Sequence, residues 1–256
     1  MQREFPIIRV NDGQFTAGIH TVVEETPLTV NVNGRTAVTA MVSPNEIEEF
    51  VVGFLYTERI IEGIDDIESM KVEKNIVNVL TKNLFKAIGA KKIVLSGCGG
   101  ISSPFDLQRL PRITSAFAVS AASIAEGMKQ LLTEDSGIHK MTGGVHAVGL
   151  SRGDGLIIRS QDIGRHNAFD KVIGRALREG IDLSRSFALT SGRISSEMVR
   201  KCLVAGIPII ASRGATTSLA IETAERTGLC VIGFVRAGKM NIYTHPEHIE
   251  GALAHQ

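Results

Sequence analysis

The stretch Ser186–Gly238 reads SFALTSGRISSEMVRKCLVAGIPIIASRGATTSLAIETAERTGLCVIGFVRAG. Short apolar runs (SFALTSG, IPIIASRG and LCVIGFVRAG) take turns with amphipathic segments (SSEMVRKCLVAG and TTSLAIETAERTG) that each close on a glycine. A brief apolar run between turn residues suits a buried strand. A longer segment with helical spacing and a terminal glycine suits a helix. Alternation at this interval predicts a three-layer α/β domain around a largely parallel sheet. The rhythm extends upstream through the long amphipathic helix NAFDKVIGRALREG, a strand pair VHAVGL and GLIIRS joined by Arg152–Gly155, and the helix SIAEGMKQLLTED. The α/β domain is therefore expected over 116–256.

Residues 1–115 read differently. PLTVNVNGRTAVTAMVS alternates on both sides of Asn33-Gly34, a strong hairpin signal. SPNEIEEFVVGFLYTERII then predicts a helix. Ser43 is placed to N-cap, Pro44 suits the first turn, Glu46 completes a capping box, and Ile47, Phe50, Val51 and Phe54 recur at helical spacing. IEGIDDIESMKVEKNIVNVLT returns to short strands. This is a smaller α+β region, ending in the segment that holds Cys98.

Composition narrows the function. A net charge of +1 gives no push toward nucleic acid or an anionic membrane, so an anionic ligand must be held by local basic groups. The N-terminus MQREFPIIRV lacks an apolar signal region, and runs such as CLVAGIPIIA are too short and broken to span a bilayer. Three cysteines, Cys98, Cys202 and Cys230, make no disulfide framework and point to a reducing cytoplasm.

Several residues could carry chemistry. In KKIVLSGCGGISS, Cys98 follows an apolar run and lies among Gly97, Gly99 and Gly100. It is either an incidental turn residue or a displayed thiol that basic neighbours could acidify. Cys202 and Cys230 sit in apolar surroundings and read as core cysteines. QDIGRHNAFDKVIG crowds Asp162, Arg165, His166, Asn167, Asp170 and Lys171 around a helix start. It is either a capped helix with a solvated face or an anion or acid/base site. Asp162 or Asn167 could be the cap. His146, after two glycines in TGGVHAVGL, would share a polar site with His166 if the strand and helix ends meet. The turns at Ser191-Gly192-Arg193, SRGATTS and FVRAGK offer backbone N–H groups, hydroxyls and arginines, which suit a large phosphorylated ligand. No metal site is expected, because the cysteines lack ligand spacing and there is no His-x-Glu followed by Pro-Cys-x-x-Cys.

Taken together, TGGVHAVGL, QDIGRHNAFDKVIG, TSGRISSEMVRKCLVAGIPII, SRGATTSLAIETAERTGL and GFVRAGKMNIYTHPEHI, with FLYTERII upstream, resemble the formate dehydrogenase accessory sulfurtransferase (FdhD) family. The resemblance implies a cytidine-deaminase-like α/β/α domain after the smaller N-terminal region, often in a homodimer. It implies a carrier that takes persulfide sulfur from a cysteine desulfurase and passes it to the bis-molybdopterin guanine dinucleotide form of the molybdenum cofactor before that cofactor enters formate dehydrogenase. A guanine nucleotide would then be a mimic of the cofactor. Cys98 would carry the sulfur. The turn Phe234, Val235, Arg236, Ala237, Gly238, Lys239 would hold the cofactor, with Arg165, His166 and Arg193 as further candidates. His166 is also a candidate for protonating or positioning the transferred sulfur. The family often shows Cys-Gly-x-Cys-Gly on the loop that here reads Ser96-Gly97-Cys98-Gly99-Gly100-Ile101. Aligning Cys98 with the first family cysteine puts Ile101 at the second; shifting the loop makes Cys98 the second. Either alignment leaves a single thiol, which suffices for persulfide exchange but removes any resolving step. A chaperone that binds and delivers the cofactor without moving sulfur is the alternative function.

Overall fold

The computed structural model describes residues 2–83, 92–94, 110–133 and 143–255. The chain opens with a two-stranded antiparallel ribbon, β1 (Gln2–Asn11) and β2 (Gln14–Val23), turning at Asp12-Gly13. A five-stranded sheet follows in the order β5-β6-β3-β4-β7. Its strands are β3 (Thr26–Val32), β4 (Arg35–Val42), β5 (Ile67–Glu73), β6 (Ile76–Thr81) and β7 (Lys92–Val94). The expected hairpin joins β3 to β4, with positive φ at both Asn33 (48°) and Gly34 (76°), as a tight two-residue turn needs. Alternate residues Leu28, Val30 and Val32 pack inward against Phe50, Val51, Phe54 and Leu55 of α1 (Ile47–Thr57).

The second region is built on a six-stranded sheet ordered β13-β12-β11-β10-β8-β9. These strands are β8 (His146–Ser151), β9 (Leu156–Asp162), β10 (Phe187–Thr190), β11 (Ile209–Ser212), β12 (Cys230–Arg236) and β13 (Lys239–Ile242). Strand alternation sorts its side chains into two cores. Phe187, Leu189, Ile209, Ala211 and Ile232 face Ile124, Met128 and Leu131 of α2 (Ala121–Thr133). Ala188, Ile210 and Val231 face the other way, toward α3 (Arg165–Arg178), α4 (Ser196–Ala205) and α5 (Ser218–Thr227). The three expected layers are present, but the sheet is mixed rather than largely parallel. Only β10–β11 and β11–β12 pair parallel, because the hairpins β8–β9 and β12–β13 close each side.

The two regions meet through α1 and α3, whose backbones nearly touch. A Cβ on Gly53 would lie 1.8 Å from the Asp170 carbonyl oxygen, and one on Gly174 would lie 1.9 Å from that of Glu49. Two buried ion pairs flank this crossing. Lys171 Nζ is 2.6 Å from Asp162 Oδ2 and also donates to the Ser43 and Gln161 carbonyls and to Asn45 Oδ1. Lys201 Nζ bridges both oxygens of Asp170 and the Thr57 hydroxyl, at 2.7, 2.8 and 2.9 Å. Each lysine thus reaches enough acceptors to offset the loss of hydration.

This geometry corrects two expectations. The polar residues of QDIGRHNAFDKVIG do not form a solvated face, since Asp162, Asn167, Asp170 and Lys171 are buried against the first region. The helix starts also differ. Glu46, in a left-handed conformation, precedes α1 without a side-chain cap, while Ser43 instead donates its N–H to Asp162 and accepts from the Ile163 N–H. Gly164 precedes α3, and Asp162 accepts from its N–H and from Asn167 Nδ2.

Candidate functional site

The carboxyl ends of β10, β11 and β12 lie side by side. Antiparallel β8 brings its first residue, His146, to that edge, opposite Asp162 at the end of β9. Three residues later α3 begins with Arg165 and His166. The strand and helix ends therefore do meet. Gly192 holds the junction open: an added Cβ would fall 3.1 Å from His146 Nδ1 and 3.3 Å from Arg165 Cβ. His166 Nε2 lies 3.3 Å from Ser195 Oγ and 3.4 Å from Glu197 Oε2 at the start of α4. Burial pushes the His166 pKa down to about 3, helped by the positive charges of Arg165 and Lys201 and by the neighbouring His146. His166 is thus a neutral imidazole at physiological pH. It can accept or donate a hydrogen bond there, but it carries no charge to bind an anion.

The glycine turns are less open than the sequence suggests. The Gly192 N–H donates to Thr190 Oγ1, the Gly214 N–H to Ser212 Oγ, and the Ile194 N–H to the Ala215 carbonyl. Ser212 Oγ in turn donates to the Gly192 carbonyl, tying the two turns together. These N–H groups are internally satisfied, so the turns are not bare phosphate cradles. The cations are what they display. The side chains of Arg193, Arg213 and Arg236 are exposed and have no hydrogen-bond or ion-pair partner among the described residues.

Arg213 and Arg236 also rim a cleft of about 730 Å³ between α2 and the β12–β13 turn. Its walls are Ala122, Ala125, Met128 and Leu132 on one side, where the ion-paired Glu126 and Lys129 also line it, and Val235, Ala237 and Gly238 on the other. Across this turn Phe234 and Ala237 take positive φ, 56° and 45°, at a bulge between Gly233 and Arg236. A positive φ is unusual for an aromatic residue, and here it leaves the Phe234 ring exposed. Val235 is buried in the core, while Arg236, Ala237, Gly238 and Lys239 are exposed. An apolar wall with an arginine rim suits a ligand with a flat or apolar body and anionic groups.

The sequence candidates thus fall on one edge of the sheet: Arg165, His166 and Arg193 at one end and Phe234–Lys239 at the other. Sequence reasoning missed Glu197 as a neighbour of His166, and missed α2 as a wall of the cleft. Nothing in the α2 sequence signals that role. Cys98 lies outside the described residues. Cys202 and Cys230 are buried, with their thiol pKa values pushed well up by burial, so neither is a nucleophile at neutral pH.

A family model described as FdhD/NarQ matches residues 23–250. The chain belongs to the FdhD/NarQ family. A relative from Bacillus pumilus, named sulfur carrier protein FdhD, is 37% identical over 251 residues, covering 95% of each chain. One of the same name from Methanothermobacter thermautotrophicus is 34% identical, covering 97% of this chain and 99% of its own. A crystal structure from Desulfotalea psychrophila, described provisionally as a formate dehydrogenase accessory protein, superposes with a TM-score of 0.82 at 28% identity. It covers 97% of this chain and 99% of its own. FdhD/NarQ membership thus extends across both regions. No helix among the described residues is long and apolar enough to cross a membrane.

Proposed function

We propose that this protein is a sulfur carrier for the maturation of formate dehydrogenase. What supports the reading is FdhD/NarQ membership over residues 23–250, together with the neutral His166, Arg165, Arg193 and the arginine-rimmed cleft along the carboxyl edge of the six-stranded sheet. β7 pairs parallel to β4 with Val94 opposite Ala40, and β4 leads to Ser43, which is bonded to Asp162 and Ile163 beside Arg165. Cys98, the candidate carrier, follows β7 in the sequence and lies outside the described residues. The names of the relatives support sulfur carriage.

In this reading the Cys98 thiolate attacks the outer sulfur of a persulfide on a cysteine desulfurase. A new S–S bond forms on Cys98, the donor's S–S bond breaks, and the donor leaves as a thiolate, with no net oxidation. The acceptor is the bis-molybdopterin guanine dinucleotide molybdenum cofactor, which is substrate here. Its nucleotide phosphates pair with Arg193, Arg213 and Arg236, and its flat rings lie against the apolar wall at Ala237 and Gly238. The protein acts in the cytoplasm as a homodimer, on a cytidine-deaminase-like scaffold. The sheet order supports that scaffold: one antiparallel strand, β8, separates the hairpin strand β9 from parallel β10, β11 and β12.

Intact-mass spectrometry after incubation with a desulfurase and cysteine tests the reading. Wild type gains one reducible sulfur, and Cys98→Ala gains none while still binding guanine nucleotide. Sulfur retained on the Cys98→Ala protein overturns the assignment. If an active desulfurase adds no sulfur to wild type, the cofactor-delivering chaperone remains.

A further inference from the structure

Only one of the two ring nitrogens of His166 is engaged. Nε2 lies 3.3 Å from Ser195 Oγ and 3.4 Å from Glu197 Oε2, whereas Nδ1 has no hydrogen-bond partner among the described residues. The ring is largely buried, with a side-chain exposure of 14%, and burial keeps it neutral at physiological pH. In a neutral imidazole one nitrogen carries a hydrogen and donates, while the other is a bare lone pair and accepts. Which nitrogen is which decides what the ring offers to a ligand.

A carboxylate only accepts hydrogen bonds, and a serine hydroxyl does either. With the hydrogen on Nδ1, the Nε2 lone pair would face the Glu197 carboxylate, two acceptors 3.4 Å apart with no proton between them. With the hydrogen on Nε2, both Ser195 and Glu197 can accept from it. The contact is built into the packing of α3 against α4. His166 and Asp170 are four residues apart on one helix, and Glu197 and Lys201 are four apart on the other, so the two pairs make successive rungs. The second rung is buried, with Lys201 Nζ bridging both oxygens of Asp170, and it sets the register that brings Glu197 to His166. The chain entering α4 is also held, because Ile194 bonds to the Ala215 carbonyl and bridges to Thr216. We propose that Glu197 is a positioning residue: it holds His166 as the Nε2–H tautomer, so that Nδ1 accepts a hydrogen bond from an O–H or N–H group of the ligand bound at this edge. The ligand class follows. It carries anionic groups for the exposed Arg193, Arg213 and Arg236, and a neutral donor, such as a sugar hydroxyl or a ring amide, for His166. An Nδ1–H histidine would instead donate, and would select one more anionic oxygen. The ligand half of this inference rests on the cofactor-binding reading given above, whereas the tautomer is a property of the free protein.

The test is long-range proton–nitrogen correlation spectroscopy on the full chain with nitrogen-labelled histidine at neutral pH, using His166→Asn to identify the His166 signals. The two ring nitrogens resonate far apart when one keeps the hydrogen and converge when the tautomers exchange. Wild type is expected in the Nε2–H form. Ser195→Ala should keep that form, because the carboxylate remains. Glu197→Ala should gain a substantial Nδ1–H share, because Ser195 is then free to donate to Nε2. A wild-type His166 in the Nδ1–H form, or a Glu197→Ala spectrum that matches wild type, refutes the tautomer assignment. Guanine nucleotide serves as the probe ligand, and Glu197→Ala should bind it about tenfold more weakly than wild type, the cost of about one hydrogen bond. Equal affinity, or no binding to wild type, overturns the role in ligand recognition. Sulfur uptake by Cys98 is read separately, by intact mass, so failure of the carrier reading is distinguishable from failure of this one.

Discussion

Replacing Gly53 by alanine sets the contact between α1 and α3 against helix propensity. Alanine is favoured over glycine inside a helix by about 1 kcal/mol, so propensity alone says the change stabilises. The packing says otherwise. The new Cβ would sit 1.8 Å from the Asp170 carbonyl oxygen, a backbone atom that cannot rotate away. An ordinary C···O contact is about 3.3 Å, so the helices must part by roughly 1.5 Å. Overpacking of this size costs about 1–3 kcal/mol by itself. The same movement stretches the bonds from Lys201 and Thr57 to Asp170, which adds to that cost. Set against the propensity gain of about 1 kcal/mol, these costs leave a net loss of about 1–3 kcal/mol, lowering Tm by roughly 2–12 °C. Gly174→Ala should cost a similar amount, because it meets Glu49 at 1.9 Å across the same gap. The double variant should cost little more than either single one, since one parting of the helices accommodates both methyl groups. Urea denaturation of the four proteins measures all three quantities. A Gly53→Ala protein as stable as wild type, or more so, would refute the close-crossing argument.

Three further outcomes are expected. Lys171→Met leaves Asp162 buried without its cation and should cost about 3–5 kcal/mol in urea melts. Adding Asp162→Asn should recover part of that loss. His166 binds its proton less readily folded than unfolded, its pKa falling from the usual 6.5 to about 3. Its contribution is complete above pH 6.5 and lost progressively as pH falls toward 3. Unfolding free energy measured against pH should therefore fall less steeply in that window for His166→Asn than for wild type. With a thiol reagent, native protein should label on no more than one cysteine, none in Cys98→Ala, while denaturation exposes the buried Cys202 and Cys230.

Much of the fold could be read locally. The period of SSEMVRKCLVAG and TTSLAIETAERTG, the glycines that end them, and Asn33-Gly34 each encode their structure within a few residues. What could not be read depends on contacts distant in sequence. Asp162 and Lys171 look like solvated polar residues around a helix start, and only the arrival of Ser43 and Asn45 makes them buried. Gly53 and Gly174 each look like a blemish in a helical pattern until the other helix is placed against it. The ribbon went unread, although Asp12-Gly13 between VN and QF is a hairpin signal of the same kind as Asn33-Gly34. Within the candidate site, the arginines beside glycine turns fall on the carboxyl edge of the six-stranded sheet. The involvement of Glu197 with His166 depends on how β10 and α4 are placed, which no short motif carries.

The interlock between the regions also sets an order of events during synthesis. Ser43 and Asp162 are 119 residues apart, Thr57 and Asp170 113, and Thr57 and Lys201 144. At about 5–20 residues per second, a ribosome that has released Thr57 needs on the order of ten seconds more to deliver Lys201. Until then the face of α1 that meets α3, with the bare backbone of Gly53 at its centre, has nothing to pack on, although its other face can already dock on β3, β4 and β6. The early part of this protein must therefore wait for the late part. The nascent chain passes through a period in which its first helix is a target for chaperones rather than a finished piece of structure.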